Sequence, residues 1–267
     1  MIKVIKNYSK KITNFFNLNL RFLAGKKDLH KFVKLFKPYN CGYELVRFGD
    51  NSDGGYLLPN CLDNLNNCFS PGVGDNIGFE KNILNRGIST FFLDHTINNF
   101  NFEIEKYENF TQKKLNVYND EKNITLETWM NNSLFNRDRK NDLILQMDVE
   151  GSEWNVLNQT SNNILKNFRI MVVEFHYLDE ISSKFILQKF SDTLKKILKD
   201  FTIVHIHPNN EMEPFNYRNF KIPRTLEVTF LRNDFVKQKH KVNKLPHHLD
   251  CKNVLNKSDF SLPEYWY

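Results

Sequence analysis

The stretch from Leu143 to Trp154 constrains the fold more than any other part of the chain. An apolar run, Leu143-Ile144-Leu145-Gln146-Met147, ends abruptly at Asp148-Val149-Glu150-Gly151-Ser152-Glu153, and an amphipathic pattern follows. A short apolar run without alternation is how a strand covered on both faces reads, and such strands build parallel sheets with helices on either side. In open α/β sheets, ligands bind in the crevice outside the carboxyl ends of the strands. The segment therefore predicts an α/β fold and puts the chemistry at the edge where Asp148 emerges.

The rest of the chain repeats this alternation. Cys68-Phe69-Ser70 ends a first strand, Ile77 to Arg86 reads as a helix stopped by Gly87, and Thr90 to Leu93 is a second strand ending in Asp94. A third strand is expected near Leu115–Val117 and a short helix over Thr125–Met130. Helical residues follow Met147 as far as Leu165. Ile170 to Phe175 reads as a strand, Ser183 to Leu198 as a helix, and Phe201 to Ile206 and Leu226 to Leu231 as two closing strands. The irregular Pro-containing link between these last two suggests an antiparallel hairpin at one edge. The expected architecture is a seven-stranded, mostly parallel Rossmann-like sheet of the class I methyltransferase kind. Leu29, Phe32, Val33 and Phe36 share one helical face ahead of Pro38, so residues 1–38 read as a basic helical N-terminal extension and 39–267 as the main domain.

At 267 residues, 40% hydrophobic and 25% charged, the chain suits one soluble domain with a substantial core. The net charge of +6 favours anionic partners in general without selecting one. Lys3, Lys6, Lys10, Lys11, Arg21, Lys26, Lys27, Lys31, Lys34 and Lys37 cluster near the N-terminus. They read as a solvated helical face, with docking to a membrane surface or to a partner as the alternative. Cys41, Cys61, Cys68 and Cys251 show no zinc or redox spacing, which fits reduced thiols in the cytoplasm. Asn17, Asn19 and Arg21 interrupt the only apolar stretch near the start, so no signal peptide is expected, and no run is long enough to span a bilayer.

Gly72-Val73-Gly74-Asp75-Asn76-Ile77-Gly78 lies between the first strand and the first helix, where glycines let the backbone approach a ligand closely. About twenty residues later Asp94 ends the second strand, placed to accept ribose hydroxyls. The pair points to a nucleoside-containing ligand. Ile77 stands where a dinucleotide fingerprint needs its third glycine, and no Gly-Lys-Ser/Thr ending is present, so the dehydrogenase reading falls behind and the P-loop is excluded.

Gly74-Asp75-Asn76-Ile77-Gly78-Phe79, Asp94, Ile124-Thr125-Leu126-Glu127-Thr128-Trp129 and Met147-Asp148-Val149-Glu150-Gly151-Ser152-Glu153 resemble successive motifs of the FkbM-type S-adenosylmethionine-dependent methyltransferases. Arg47-Phe48-Gly49, Asp53-Gly54-Gly55-Tyr56 and Leu245-Pro246-His247-His248-Leu249-Asp250 are similar to a methyltransferase-like branch of that group. The resemblance runs from about Cys41 to Pro263. It implies S-adenosylmethionine as cofactor, with Gly72, Gly74 and Asn76 against its methionine portion, Asp94 on the ribose, and Asp53, Tyr56 and Asp148 completing the site; Asp120 or Glu121 would face the adenine. One departure stands out. The family commonly has an acid at the end of the first strand to hold the methionine amino group, and Gly72 occupies that place here, so Asp148 or the backbone near Gly72 has to substitute.

Methyl transfer requires holding acceptor and donor at attack distance and removing the acceptor's proton. Asp148, Glu174, His176 and His207 fall at strand ends and are the candidate catalytic residues, with His176 and His207 as the general bases. Asp148, Glu174 and His207 form the set that would orient a diol or phosphate through a divalent ion. They are scattered in sequence rather than compact, and no metal is expected. Glu150 and Glu153 also have a structural reading, as acids stabilising a helix N-terminus. Trp154 reads as core, and Arg47 and Arg224 are candidate anion clamps.

The resemblance implies an O-methyltransferase acting on a small sugar or phosphate-bearing acceptor of surface polysaccharide synthesis, such as a capsular heptose or phosphoramidate precursor, either free or nucleotide-linked. Self-association is compatible with this reading. A nucleic-acid methyltransferase is disfavoured, because clustered carboxylates suit a polyanion poorly and no Asn/Asp-Pro-Pro-Tyr follows the fourth strand. The remaining alternative is a non-catalytic module that keeps the cofactor fold and docks through its basic helix.

Overall fold

The computed structural model describes residues 22–97, 109–134 and 142–267. Lys3, Lys6, Lys10, Lys11 and Arg21 of the basic cluster, and the start of the irregular stretch after Asn98, lie outside them. Helix α1 (Lys26–Val33) leads into a hairpin of β1 (Leu45–Phe48) and β2 (Tyr56–Pro59). There follow β3 (Asn67–Pro71), α2 (Gly78–Asn85), β4 (Ser89–Leu93), β5 (Phe110–Thr111) and α3 (Leu126–Ser133). The second half comprises β6 (Leu143–Met147), α4 (Glu153–Gln159), α5 (Asn162–Leu165), β7 (Phe168–Phe175), α6 (Lys184–Ile197), β8 (Phe201–Pro208) and β9 (Leu226–Arg232).

Seven of these strands form one sheet in the order β8-β9-β7-β6-β3-β4-β5. The pairs β3–β4, β3–β6, β4–β5 and β6–β7 are parallel, and β9 runs antiparallel to both β7 and β8. The α/β expectation and the reversed terminal strand are both borne out. The third strand is a correction. It is Phe110–Thr111, whereas Lys114–Leu115 pairs with Asn123–Ile124 in a separate two-stranded ribbon. Leu115 is buried in both readings, so its apolar character alone did not say which sheet it joins. The helix expected to run to Leu165 is broken into α4 and α5 at Thr160-Ser161, where the Ser161 side chain caps the new start by accepting the Ile164 N–H.

Burial on both sheet faces explains the unalternating strands. On β6, Leu143, Leu145 and Met147 enter a core shared with α1, α3, α4 and α6, while Ile144 faces a second core with β1, β2 and α2. The amphipathic spacing of α6 turns Leu187, Phe190, Leu194 and Ile197 inward. Leu29, Phe32, Val33 and Phe36 pack into the first core, Phe36 against the Trp266 ring, so residues 26–36 are built into the body of the domain.

Strand order reverses direction at β3 and β6, which makes their carboxyl ends the switch point of the sheet. Gly72 and Asp148 are the residues that leave those two strands. They touch: the Asp148 N–H donates to Pro71 O at 3.2 Å, and Gly72 adopts φ +82° against the Asp148 carbonyl.

Candidate functional site

A cavity of about 380 Å³ opens at this switch point. One wall is the loop after β3, with Gly72, Gly74 and Asn76; the other is formed by Asp148, Val149 and Glu150 after β6. Asp53, Gly54 and Tyr56 cover it from the β1–β2 hairpin, and Asp94 closes the end beside β4.

The glycine loop has two different constraints. Gly72 has no room, since a Cβ there would stand 2.5 Å from the Asp148 carbonyl carbon and closer still to its oxygen. Gly74, at φ +58°, has nothing within 4 Å of a Cβ position, so its bare face is presented to the cavity. Its N–H donates to Asp94 Oδ2 at 3.1 Å. The other carboxylate oxygen, Oδ1, accepts from the Thr96 N–H and hydroxyl, both at 2.7 Å. Burial works to raise the Asp94 pKa, but these bonds outweigh it and hold the carboxyl below its ordinary value, so Asp94 is an anion fixed in orientation. Asn76 lines the cavity while clamping it: its Nδ2 donates to Asp53 O and its Oδ1 accepts the Gly78 N–H.

Behind Asp148 and Glu150 on the opposite wall lies an acid–imidazole cluster. His176 Nδ1 sits 3.1 Å from Glu153 Oε1, and its Nε2 lies 3.4 Å from Glu150, 3.8 Å from Asp148 and 4.0 Å from Glu174. Burial alone would lower the His176 pKa, but Glu153, Asp148 and Glu150 raise it to about 9. At neutral pH the ring is therefore an imidazolium. Asp148 is pushed up to about 7, by burial first and by Glu150 and Glu153 next, against the lowering effect of His176. Glu153 is completely buried, and its Oε1 accepts the Val149 and Gly151 N–H groups, so it serves the turn at the start of α4 as well as His176. Trp154 stacks on Phe190 with centroids 3.8 Å apart and donates its indole N–H to His176 O at 2.9 Å. Asp148, Glu150 and His176 each bring one metal-capable atom within 4.8 Å of the others, a different set from the scattered one in the sequence.

The Methyltransferase FkbM domain model matches residues 28–241. The chain belongs to the FkbM methyltransferase family. No curated protein matches it. The matched span begins inside α1 and covers the whole cavity wall from Asp53 to Glu150.

Behind the cavity, this FkbM methyltransferase carries a row of buried titratable groups. The register of β7, β9 and β8 sets Glu174 beside Glu227 and Glu227 beside His207. Glu174 is raised well above its ordinary pKa by burial, while Asn209 Nδ2 donates to its Oε1 at 2.9 Å and the Tyr56 hydroxyl to its Oε2 at 3.4 Å. His207 is 4% exposed, lies 3.6 Å from Asp250, and is not among the cavity-lining residues. Burial would lower its pKa, but Asp250 and Glu227 raise it to about 9. Of the two expected bases, only His176 stands beside Asp148.

Other expected contacts are used structurally. Arg47 donates to the Asp50, Ser52 and Leu249 carbonyls, and Arg224 pairs with Asp179 and donates to Glu213 O. Asp120 folds its own loop by accepting from Lys122 and Asn123. Lys114 and Leu115 line the cavity next to Asp94 instead of Asp120 or Glu121. Glu80 and Gln146 are lining residues the sequence reading missed. Gln146 is hidden inside an apolar strand, and Glu80 inside a helix where an acid passes for surface. No described helix is long and apolar enough to cross a membrane.

Proposed function

We propose that this methyltransferase uses S-adenosylmethionine to methylate a hydroxyl oxygen of a small, hydroxyl-rich acceptor, a sugar unit of a surface polysaccharide precursor. The single observation that carries the reading is the cavity at the switch point, with a bare-backbone glycine loop and an oriented Asp94 at one side and Asp148 at the other. The donor set fits the cofactor. Gly74 leaves its face open, Asp94 is an ionised acceptor for a diol, and Leu115 is an apolar neighbour for a base. Bound there, S-adenosylmethionine would supply a methyl group already activated by the sulfonium charge.

In this reading Asp94 receives the ribose hydroxyls, Lys114 and Leu115 flank the adenine, and Asp53, Tyr56, Gly72, Gly74 and Asn76 surround the methionine portion. Asp148 is the general base. Its pKa of about 7 matches neutral working pH, whereas His176, already protonated, cannot take a second proton. His176, 3.8 Å away, balances the charge of Asp148. Glu174 steadies the same wall from behind through Tyr56. The exposed Glu150 carboxylate at the rim favours a sugar hydroxyl over a phosphate oxygen as the methylated atom. Nucleotide-linked sugar acceptors would place the reaction in the cytoplasm.

Two measurements test the proposal: binding of S-adenosylhomocysteine by calorimetry, and transfer of labelled methyl from S-adenosylmethionine to a panel of nucleotide-linked sugars. A protein that binds no S-adenosylhomocysteine refutes the cofactor assignment. Transfer of methyl only to a phosphate oxygen, and never to a sugar hydroxyl, refutes the acceptor class.

A further inference from the structure

Glu80 is an acid in an unexpected place. It lies in the first turn of α2, is 2% exposed, and lines the cavity. Its Oε1 is 2.5 Å from Ser70 Oγ, and Ser70 Oγ is 2.6 Å from Gln146 Oε1. Its second oxygen, Oε2, is buried and makes no hydrogen bond. Ser70 has one hydroxyl hydrogen for two acceptor oxygens, so with Gln146 in this orientation and no cation near by among the described residues the Glu80 carboxyl supplies the other. Burial agrees, raising its pKa to about 7 against the Ser70 hydrogen bond. An ammonium group beside Oε2 would lower that pKa and turn the carboxyl into the anion. A buried carboxylate oxygen without a partner is costly, and a cationic ligand group is the partner that would relieve that cost.

Gly72 shows why such a group is needed from α2. Any side chain at position 72 would run into the Asp148 carbonyl, so the end of β3 cannot carry an acid in this chain. Asp148, the other acid near by, also has a buried oxygen without a hydrogen bond, but the His176 imidazolium 3.8 Å away already balances its charge. Glu80 has a hydroxyl and an amide as neighbours and lies under the same glycine loop.

We infer that Glu80 binds the α-ammonium group of the amino-acid end of S-adenosylmethionine, doing from the first helix what no residue can do from the end of the first strand. The inference rests on the cofactor reading above. It specifies the cavity's polarity: amino-acid end toward Glu80, Ser70 and Tyr56, nucleoside end toward Asp94 and Leu115.

The test compares S-adenosylhomocysteine with 5′-methylthioadenosine, which has the nucleoside and sulfur but no amino-acid portion. Calorimetric Kd values for both are measured on wild type, Glu80→Gln and Glu80→Met, the last being apolar and of similar length. Loss of a charge-assisted hydrogen bond predicts Kd for S-adenosylhomocysteine weaker by about 10- to 100-fold in either variant. The 5′-methylthioadenosine Kd should stay within about twofold, and its binding also certifies that the cavity is folded. If both ligands weaken alike, or neither does, the assignment of Glu80 is overturned while the cofactor reading stands. Wild type that binds neither ligand overturns both.

Discussion

Gly72 and Gly74 sit two residues apart in one loop, both in the left-handed region, yet alanine should affect them differently. At either position alanine adopts a positive φ at a cost of about 1–2 kcal/mol. At Gly74 nothing else is charged against stability, because no atom lies within 4 Å of the added Cβ. At Gly72 the Cβ is 2.5 Å from the Asp148 carbonyl carbon, and the obstacle is backbone in the middle of the switch point. Relief requires the ends of β3 and β6 to part, and overpacking of that kind adds about 1–3 kcal/mol or more. With roughly 2–4 °C per kcal/mol for a domain of this size, Gly74→Ala should lower Tm by roughly 2–8 °C and Gly72→Ala by roughly 4–20 °C. Binding should reverse the order among folded molecules. The methyl of Gly74→Ala projects into the space kept for the methionine portion and should weaken S-adenosylhomocysteine by about tenfold or more, measured by calorimetry well below Tm. Equal Tm values for the two variants, or Gly74→Ala binding like wild type, would refute the division of the loop into a packed glycine and a ligand-facing one.

Asp148 as the base makes turnover rise as pH passes about 7 and level off above it, since the carboxyl must be ionised to receive a proton. Asp148→Asn should lower kcat by about 10²- to 10⁴-fold and remove that rise; a variant keeping the wild-type pH profile would clear Asp148 of the role. Asp94→Asn should weaken S-adenosylhomocysteine and 5′-methylthioadenosine together by about tenfold, because both carry the ribose, and selective loss of one would contradict its placement. Asp250, 4% exposed at its side chain, is held well below the carboxylate range by His205 and His207 despite its burial. Its contribution to stability is present above its unfolded pKa and is lost as pH falls through the depressed folded value, while that of His207 is present below about 6.5 and is lost as pH rises through about 9. Asp250→Asn should cost about 3–5 kcal/mol near neutral pH, read from thermal or urea unfolding, and a cost under about 1 kcal/mol would show that the buried charge set is not coupled.

Much of the fold was legible because both sheet faces are covered, so β6, β7, β8 and β9 announce themselves as apolar runs. The edge was not. Phe110–Thr111 is two residues long, too short for a pattern, and Leu115 looked equally like a strand of the main sheet. The cavity wall could be read from Gly72, Gly74, Asp94 and Asp148 because chain order and strand ends locate them. His207 misled, since alternation puts it at a strand end but only the register with Glu227 and the return of Asp250 show it facing inward. Glu80 could not be found from spacing. Its significance depends on the Asp148 carbonyl crossing Gly72, a contact between residues 76 positions apart.

Trp154 has a consequence for how this enzyme can change. Its ring bears on Phe190 of α6 and its N–H grips the His176 carbonyl, so one indole gauges the depth of the acid–imidazole cluster from the helical layer behind the sheet. The exposed rim side chain of Glu150 can vary without disturbing any packing behind it, whereas the Tyr177 ring closes over Gly151. A change of ring at 154 or 190 instead resets where His176 stands. The cluster is thus adjustable at its exposed edge and fixed from the helical layer at its back.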